Sequence, residues 1–183
     1  MTNSLSPLFS VIIPAYNASG FIRNTLDSVR NQTFDDYEII IVNDGSKDDT
    51  LEVVKAYFVD FPGLNCKIID QKNKGIGGAR NSCIKEALGK FVAFLDADDS
   101  WSKLKLERVK ELIGKSTNVD LVCHNENWVE DGRVYKEAIC GPYRTYKELL
   151  FKGNCISTSA TVVRRSKLLE VGLFSENMNF NGV

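Results

Sequence analysis

A single histidine, four prolines, no excess of either charge and no long apolar run are what this 183-residue sequence has least of. One histidine, His124, excludes a multi-histidine zinc site. The five cysteines, Cys66, Cys83, Cys123, Cys140 and Cys155, are odd in number and lack a CxxC pair. Neither a zinc knuckle nor a disulfide framework is therefore expected, and free thiols in a reducing cytosol fit best. The longest apolar runs, such as FVAFL at 91–95, fall far short of a bilayer span, and the opening MTNSLSPLFS has no basic and apolar leader pattern. A cytoplasmic protein is expected, with peripheral association at the inner face of a membrane left open. Lys plus Arg number 23 against 24 Asp plus Glu, a net charge of -1, which gives no reason to expect nucleic acid as a partner. Any bound anion must be met locally.

What is present is 43% hydrophobic and 26% charged residues, the balance of one globular domain able to build its own core. Apolar runs bounded by turn residues lie at Leu8 to Ile13, Tyr37 to Val42, Cys66 to Ile69 and Phe91 to Leu95. The middle two do not alternate, the pattern of strands buried on both faces. Helix-period segments separate them: Phe21 to Val29 after a Ser19 cap, Leu51 to Phe58 after Ser46, Asp48 and Asp49, and Ala79 to Leu88. The order β-α-β-α-β-α-β predicts a mainly parallel, doubly wound α/β sheet with helices on both faces. Further on, the pattern predicts a helix over Lys103 to Leu112, a strand over Val119 to Cys123, a hairpin turning at Asp131-Gly132, and a short helix over Tyr146 to Phe151. A strand over Ser159 to Val163 and a helix from Arg165 to Val171 follow. With no linker or repeat, residues 1–183 are expected to form a single domain.

Ligands of open α/β sheets sit beyond the carboxyl ends of the strands, and the residues placed there are polar: Pro14-Ala15-Tyr16-Asn17, Asn43-Asp44-Gly45-Ser46, Asp70 to Asn81, and Asp96-Ala97-Asp98-Asp99. Three carboxylates in four residues repel one another unless a cation joins them. Hard carboxylate oxygens favour Mg²⁺ or Mn²⁺ over Zn²⁺, and such ions complete their shells with substrate phosphates. A plainer role is an acidic turn in which Asp99 or Ser100 caps the next helix. Lys72 to Asn81 combines Gly75, Gly77 and Gly78 with three cations at a helix start, the mixture expected where backbone N–H groups approach an anion; a flexible turn is its bland counterpart. Asp44 fits a turn, a cap, or an acceptor for a base N–H or ribose hydroxyl. Tyr16 fits a stacking role or a half-buried strand end.

Taken together, Val11 to Asn17, Val42 to Ser46, Asn73 to Asn81 and Phe94 to Asp99 closely resemble the N-terminal half of family 2 inverting glycosyltransferases of GT-A fold. The likeness is strong over residues 8–101 and looser through Ser159 to Arg165 and Gly172-Leu173-Phe174. It implies a nucleotide-binding half over about 1–125 and the start of an acceptor-side half over 126–183. It further implies a nucleotide-diphospho-sugar donor, most often a UDP-sugar, a carbohydrate or lipid-linked saccharide acceptor, and a place in surface polysaccharide synthesis. Ala15 and Tyr16, flanked by Pro14 and Asn17, would hold the uracil with Asp44. Arg80 would face the base or diphosphate near Gly75. Asp96 would meet the ribose or a metal-bound water beside Ala97, Asp98 would ligate the metal, and Asp99 would stand behind them. In the resembled family the general base is the Asp of a Glu-Asp pair following a loop similar to Phe174 to Val183. The sequence ends where that pair is expected, so a fragment truncated at its C-terminus, competent in donor binding but poor in transfer, is anticipated. Glu176 reads as a loop residue.

Three rivals stand beside this reading. An NAD-type dinucleotide enzyme needs its glycines after the first strand, where Pro14-Ala15-Tyr16-Asn17 stands. A non-catalytic sugar-nucleotide binding module would leave the acidic cluster without metal. A Cys123-His124 nucleophile pair fails because neighbours on a strand point to opposite faces. Trp101 and Trp128 suit a sugar ring or core packing, with core packing favoured for both.

Overall fold

The computed structural model describes residues 6–116, 118–141, 145–152 and 156–176. Its elements run β1 (Phe9–Ala15), α1 (Ile22–Arg30), β2 (Tyr37–Asp44), α2 (Thr50–Asp60), β3 (Cys66–Gln71), α3 (Gly75–Glu86), β4 (Phe91–Phe94) and α4 (Lys105–Gly114). They continue with β5 (Leu121–Cys123), β6 (Glu126–Glu130), β7 (Arg133–Ala138), α5 (Tyr146–Lys152), β8 (Thr161–Arg164) and α6 (Arg165–Glu170). A six-stranded sheet has the order β3-β2-β1-β4-β8-β5, and β6 and β7 form a separate two-stranded sheet. β3, β2, β1 and β4 are mutually parallel. β8 runs antiparallel to both β4 and β5.

β1 is buried at every residue and β2 at all but its first, because helices cover both sheet faces. One core layer gathers Val11, Ile13, Ile41, Leu26 and Tyr57. The other gathers Ile12, Ile40, Val42, Ala79 and Ile84. Successive residues of β1 thus enter opposite layers, which is what a two-sided apolar strand requires. β3 departs from the expectation of burial on both faces: it is the sheet's edge, with Lys67 and Asp70 exposed, and a strand with one neighbour tolerates such charges.

The caps also differ from the pattern-based expectation. Ser19 does not cap α1; its backbone N–H donates to Asp48 Oδ2 at 3.1 Å. Asp48 Oδ1 accepts from the Thr50 N–H at 3.1 Å and from its hydroxyl at 2.5 Å. Neither Asp99 nor Ser100 caps α4, which begins later, at Lys105. The expectation of free thiols fails at Cys123 and Cys140, which are joined as a disulfide with their Cα atoms 6.6 Å apart. The turn at Asp131-Gly132 folds the intervening chain back, so β6 and β7 bring the two cysteines together across 17 residues. Cys66 and Cys83 are free, and Cys155 lies outside the described residues.

Candidate active site

The parallel register carries the polar segments to one rim. Ala15 lies beside Asn43 and Asn43 beside Asp70, while β4, paired to β1, delivers Leu95 and then Asp96 at the same end. Pro14 and Ala15 close β1 and are buried; Tyr16 emerges 48% exposed. Asn17 adopts φ 51°. In that conformation its N–H donates to Ser46 Oγ at 3.1 Å and its side-chain Oδ1 accepts from the Lys47 N–H at 2.8 Å. Ala18 N–H donates to Thr50 Oγ1 at 2.7 Å, so the strand-one and strand-two loops form one unit.

Asp44 ends β2 only 3% exposed. Its Oδ1 accepts from Gln71 Nε2 at 2.7 Å and from the Lys74 N–H at 2.9 Å. Gly45 follows at φ +71°, and a Cβ there would meet the Asn73 nitrogen at 2.8 Å; the close approach of the β2 and β3 loops requires glycine. Asn43 donates to Asp70 Oδ1 at 2.7 Å, while its own Oδ1 is buried without a partner. The glycine cluster is not a loop ahead of the third helix, as the Ala79 start predicts: Gly75, at φ 72°, opens α3 and Gly77 and Gly78 lie in its first turn. Gly77 packs against the Ser175 backbone, where no side chain fits.

Arg80, on the next stretch of α3, donates from Nη2 to Asp96 Oδ1 at 2.8 Å, with the two side chains 13% and 32% exposed. Its Nε is buried and unpartnered, and the guanidinium stands 5.6 Å from the Phe174 ring centroid. The Asp96 N–H donates to Ser159 Oγ at 3.0 Å. Ala97 is buried and its carbonyl accepts from Thr25 Oγ1 at 2.7 Å, which anchors the acidic loop to α1. Asp98 is exposed and its carboxylate makes no hydrogen bond or ion pair among the described residues. Partial burial, then the negative charges of Asp98, Asp96 and Glu126, raise the pKa of Asp99 against an opposing hydrogen bond from Ser159.

Several residues of the site carry no signal in the linear sequence. Asn81 clasps the chain after α6: its Nδ2 donates to Phe174 O and Glu176 Oε1, and its Oδ1 accepts from the Phe174 N–H. Glu176 is indeed a loop residue, held ionised by Asn81 and by Lys85 and Lys74. Residues 177–183, next to which the catalytic pair is expected, lie outside the described residues. Lys105 is 6% exposed; its Nζ donates to Ser159 O at 2.5 Å and sits 3.7 Å from the Trp101 ring centroid. Burial lowers its pKa well below the usual ammonium value.

The cysteine and histidine chemistry can be set aside. Burial raises the Cys66 and Cys83 thiols to about 12, Cys123 is oxidised, and His124 Nδ1 meets its neighbour's carbonyl, Asn125 O, at 2.7 Å. Trp101 is core, 8% exposed, with its N–H donated to Ser159 O at 2.9 Å. Trp128 is not; it stays 45% exposed on the two-stranded sheet.

Among the described residues no group of three or more His, Cys, Asp or Glu could hold a metal by itself. The donor set nevertheless fits an ion that takes one or two carboxylates and leaves the rest of its shell to phosphate oxygens. Asp98 is free for it, and the orphaned Arg80 Nε offers a second donor to an incoming anion.

Comparison with known proteins decides the family. The family model for "Glycosyl transferase family 2" matches residues 10–172. The chain belongs to glycosyl transferase family 2. Among family 2 relatives, the amylovoran biosynthesis glycosyltransferase AmsB of Erwinia amylovora is 36% identical over 176 residues, covering 89% of this chain and 57% of AmsB. The crystal structure of S. aureus TarS 1–349 in complex with UDP superposes with a TM-score of 0.75 at 27% identity, covering 94% of this chain and 52% of that one. A mannosyltransferase of Pyrobaculum calidifontis, solved with GDP-Man and Mn²⁺, shares the fold at a TM-score of 0.74 and 21% identity, covering 95% of this chain and 49% of its own. The chain thus spans about half the length of the curated relatives it matches, and the parallel sheet with its GT-A likeness is the fold expected from the strand-end motifs.

Proposed function

We propose that this chain is the donor-binding portion of an inverting glycosyltransferase. It would take a sugar from a nucleotide-diphospho-sugar, in the first instance a UDP-sugar, and pass it to the hydroxyl of a carbohydrate or lipid-linked saccharide. The observation that carries the reading is the convergence of Asp44, Arg80 and the unpaired Asp98 on one sheet rim. Binding of UDP by TarS and the part of AmsB in amylovoran biosynthesis support it.

The buried Asp44 accepts two N–H groups through Oδ1, which leaves Oδ2 to accept from a uracil N–H. Pro14 and Ala15 present their backbone beside it, with Tyr16 and Asn17 at the mouth. Asp96 and Asp98 would hold Mn²⁺ or Mg²⁺. Such an ion, when bound, stabilises the negative charge that grows on the departing diphosphate. Arg80 adds a fixed positive charge on the same side, backed by Phe174, from α3, at whose start the N–H groups of Lys74 and Gly75 are taken by Asp44 and Asn73. Preorganised groups of this kind favour the transition state over the ground state because no water needs to reorient.

No helix among the described residues is long and apolar enough to cross a membrane, and we place the reaction in the cytoplasm or at the inner face of a membrane, where surface polysaccharides are assembled. The test is calorimetry of UDP binding with and without Mn²⁺. Mn²⁺ is expected to tighten UDP at least tenfold, and Asp98→Ala is expected to abolish that gain while shifting stability by less than about 0.5 kcal/mol. Tight UDP binding indifferent to Mn²⁺ favours the metal-free binding module; absence of UDP binding refutes the donor site.

A further inference from the structure

A cleft of about 1010 Å³ opens from Asp98 and Asp99 and runs past Arg108 on α4 to the β6–β7 hairpin. Of the side chains proposed for the donor site, Asp98 lines the acidic end of the cleft. Its far wall is aromatic, formed by Trp128 and Tyr135. We propose that this cleft is the acceptor subsite, and that Trp128 is the platform on which a neutral sugar ring of the acceptor stacks; the inference rests on the transferase reading above.

The two tryptophans of the chain separate structural from available indole. Trp101 is buried, its N–H committed to Ser159 and its ring covered by Lys105. Trp128 is 45% and Tyr135 60% exposed, and they meet edge to face with centroids 6.2 Å apart and planes at 77°. Lys136 supports the indole, its Nζ 4.2 Å from the ring centroid, yet the ring still forms part of the cleft wall. An indole and a phenol left partly open side by side on a cleft wall offer an apolar face with polar tips, the surface on which aromatic recognition is built.

The platform is also held in place. The Cys123–Cys140 disulfide ties the end of β7 to the end of β5. Asn125 Oδ1 accepts the Cys140 N–H at 2.9 Å, and Asn125 Nδ2 reaches Glu137 at 3.4 Å. An anchored aromatic surface orders a ligand at lower entropic cost than a mobile one.

A pyranose matches the cleft chemically. Its C–H face suits an indole, and its rim of hydroxyls suits amide and guanidinium groups such as Asn127 and Arg108; the Arg108 guanidinium has no ion pair or hydrogen bond among the described residues. A saccharide lying on Trp128 and directed along the cleft brings its terminal hydroxyl toward the Asp98 end, where the donor sugar is proposed to stand. Trp128 is thus a positioning residue.

The experiment uses the full-length protein, with UDP and Mn²⁺ present, and two neutral probes, cellotetraose and chitotetraose. The indole N–H resonance of Trp128 is expected to shift on addition of at least one tetrasaccharide while that of Trp101 stays fixed. Trp128→Ala is expected to weaken that tetrasaccharide about tenfold and Trp128→Phe by no more than threefold, with UDP affinity unchanged in both. A Trp128 resonance that ignores both probes while UDP binds overturns the acceptor subsite and leaves the donor reading standing. The subsite is equally overturned if the hairpin is already covered by chain beyond Val183, seen as a Trp128 indole shielded from solvent before any probe is added. Loss of UDP binding in the wild-type protein instead overturns the donor reading.

Discussion

Replacing Arg80 by methionine removes the one guanidinium at the donor rim among the described residues and leaves Asp96 without its partner. A charge-assisted hydrogen bond contributes about 1.5–3 kcal/mol net; because Asp96 is 32% exposed, water repays part of the loss and the low end applies. The cation over the Phe174 ring, 5.6 Å from its centroid, adds about 0.5 kcal/mol. Arg80→Met is therefore expected to destabilise the fold by about 2 kcal/mol, a fall in Tm of roughly 4–8 °C for a chain of this length. Asp96→Asn in the Arg80→Met background should cost little more, so that the double-mutant cycle returns a coupling of about 1 kcal/mol. Binding of UDP with Mn²⁺ should weaken by roughly 10- to 100-fold in Arg80→Met, because a positive charge facing a diphosphate is lost. Urea denaturation of the four proteins gives the coupling, and calorimetry gives the affinities. A coupling below about 0.3 kcal/mol, together with a UDP affinity within threefold of wild type, refutes both the structural and the ligand role assigned to this pair.

Gly45→Ala should cost about 1–3 kcal/mol, measured by denaturation, since the residue sits at φ +71° and its Cβ would press on the Asn73 nitrogen; Asn73→Ala, which keeps that backbone nitrogen, should not rescue it. Asp48 gives an acid dependence with a definite sign. Hydrogen bonds from Thr50 and Ser19 lower its pKa from 3.8 to about 2, so the stabilisation it provides is complete above the ordinary carboxylate value and disappears as pH falls toward 2. Thermal melts between pH 5 and pH 2 should show a shallower decline for Asp48→Asn than for the wild type, from a lower starting Tm; parallel curves contradict the assignment.

The strand-end motifs are legible because each apolar run stops at a polar residue, and parallel pairing then forces every such stop to the same rim. Asp44, Arg80 and Asp98 can be found for that reason. The run Ser159 to Val163 predicts a strand, observed at Thr161–Arg164, but says nothing of its neighbours, and its insertion between β4 and β5 depends on pairing across the whole second part of the chain. Cys123 and Cys140 read as unrelated thiols because the odd number of cysteines and the missing CxxC pair argue against a disulfide, although the hairpin expected at Asp131-Gly132 lies midway between them and is what brings them together. The glycines of α3 suggest a loop on propensity alone, yet Gly77 lies too close to the Ser175 backbone, and Gly78 to the Lys74 side chain, for a side chain at either position within the helix. Asn81 and Lys105 are invisible for a similar reason: their roles are set by Phe174 and Ser159, which lie 93 and 54 residues away.

The place of β8 has a consequence for synthesis on the ribosome. β3, β2, β1 and β4 are complete once Phe94 has been made, but the strand that covers the free side of β4 ends at Arg164. At about 5–20 residues per second, the hydrophobic Phe91–Phe94 edge stays uncapped for roughly 4–14 s. A nascent chain arrested in that interval offers an open ladder to its neighbours on the same message, so fragments that end before residue 161 should accumulate as aggregates, whereas those that extend past Arg164 should not.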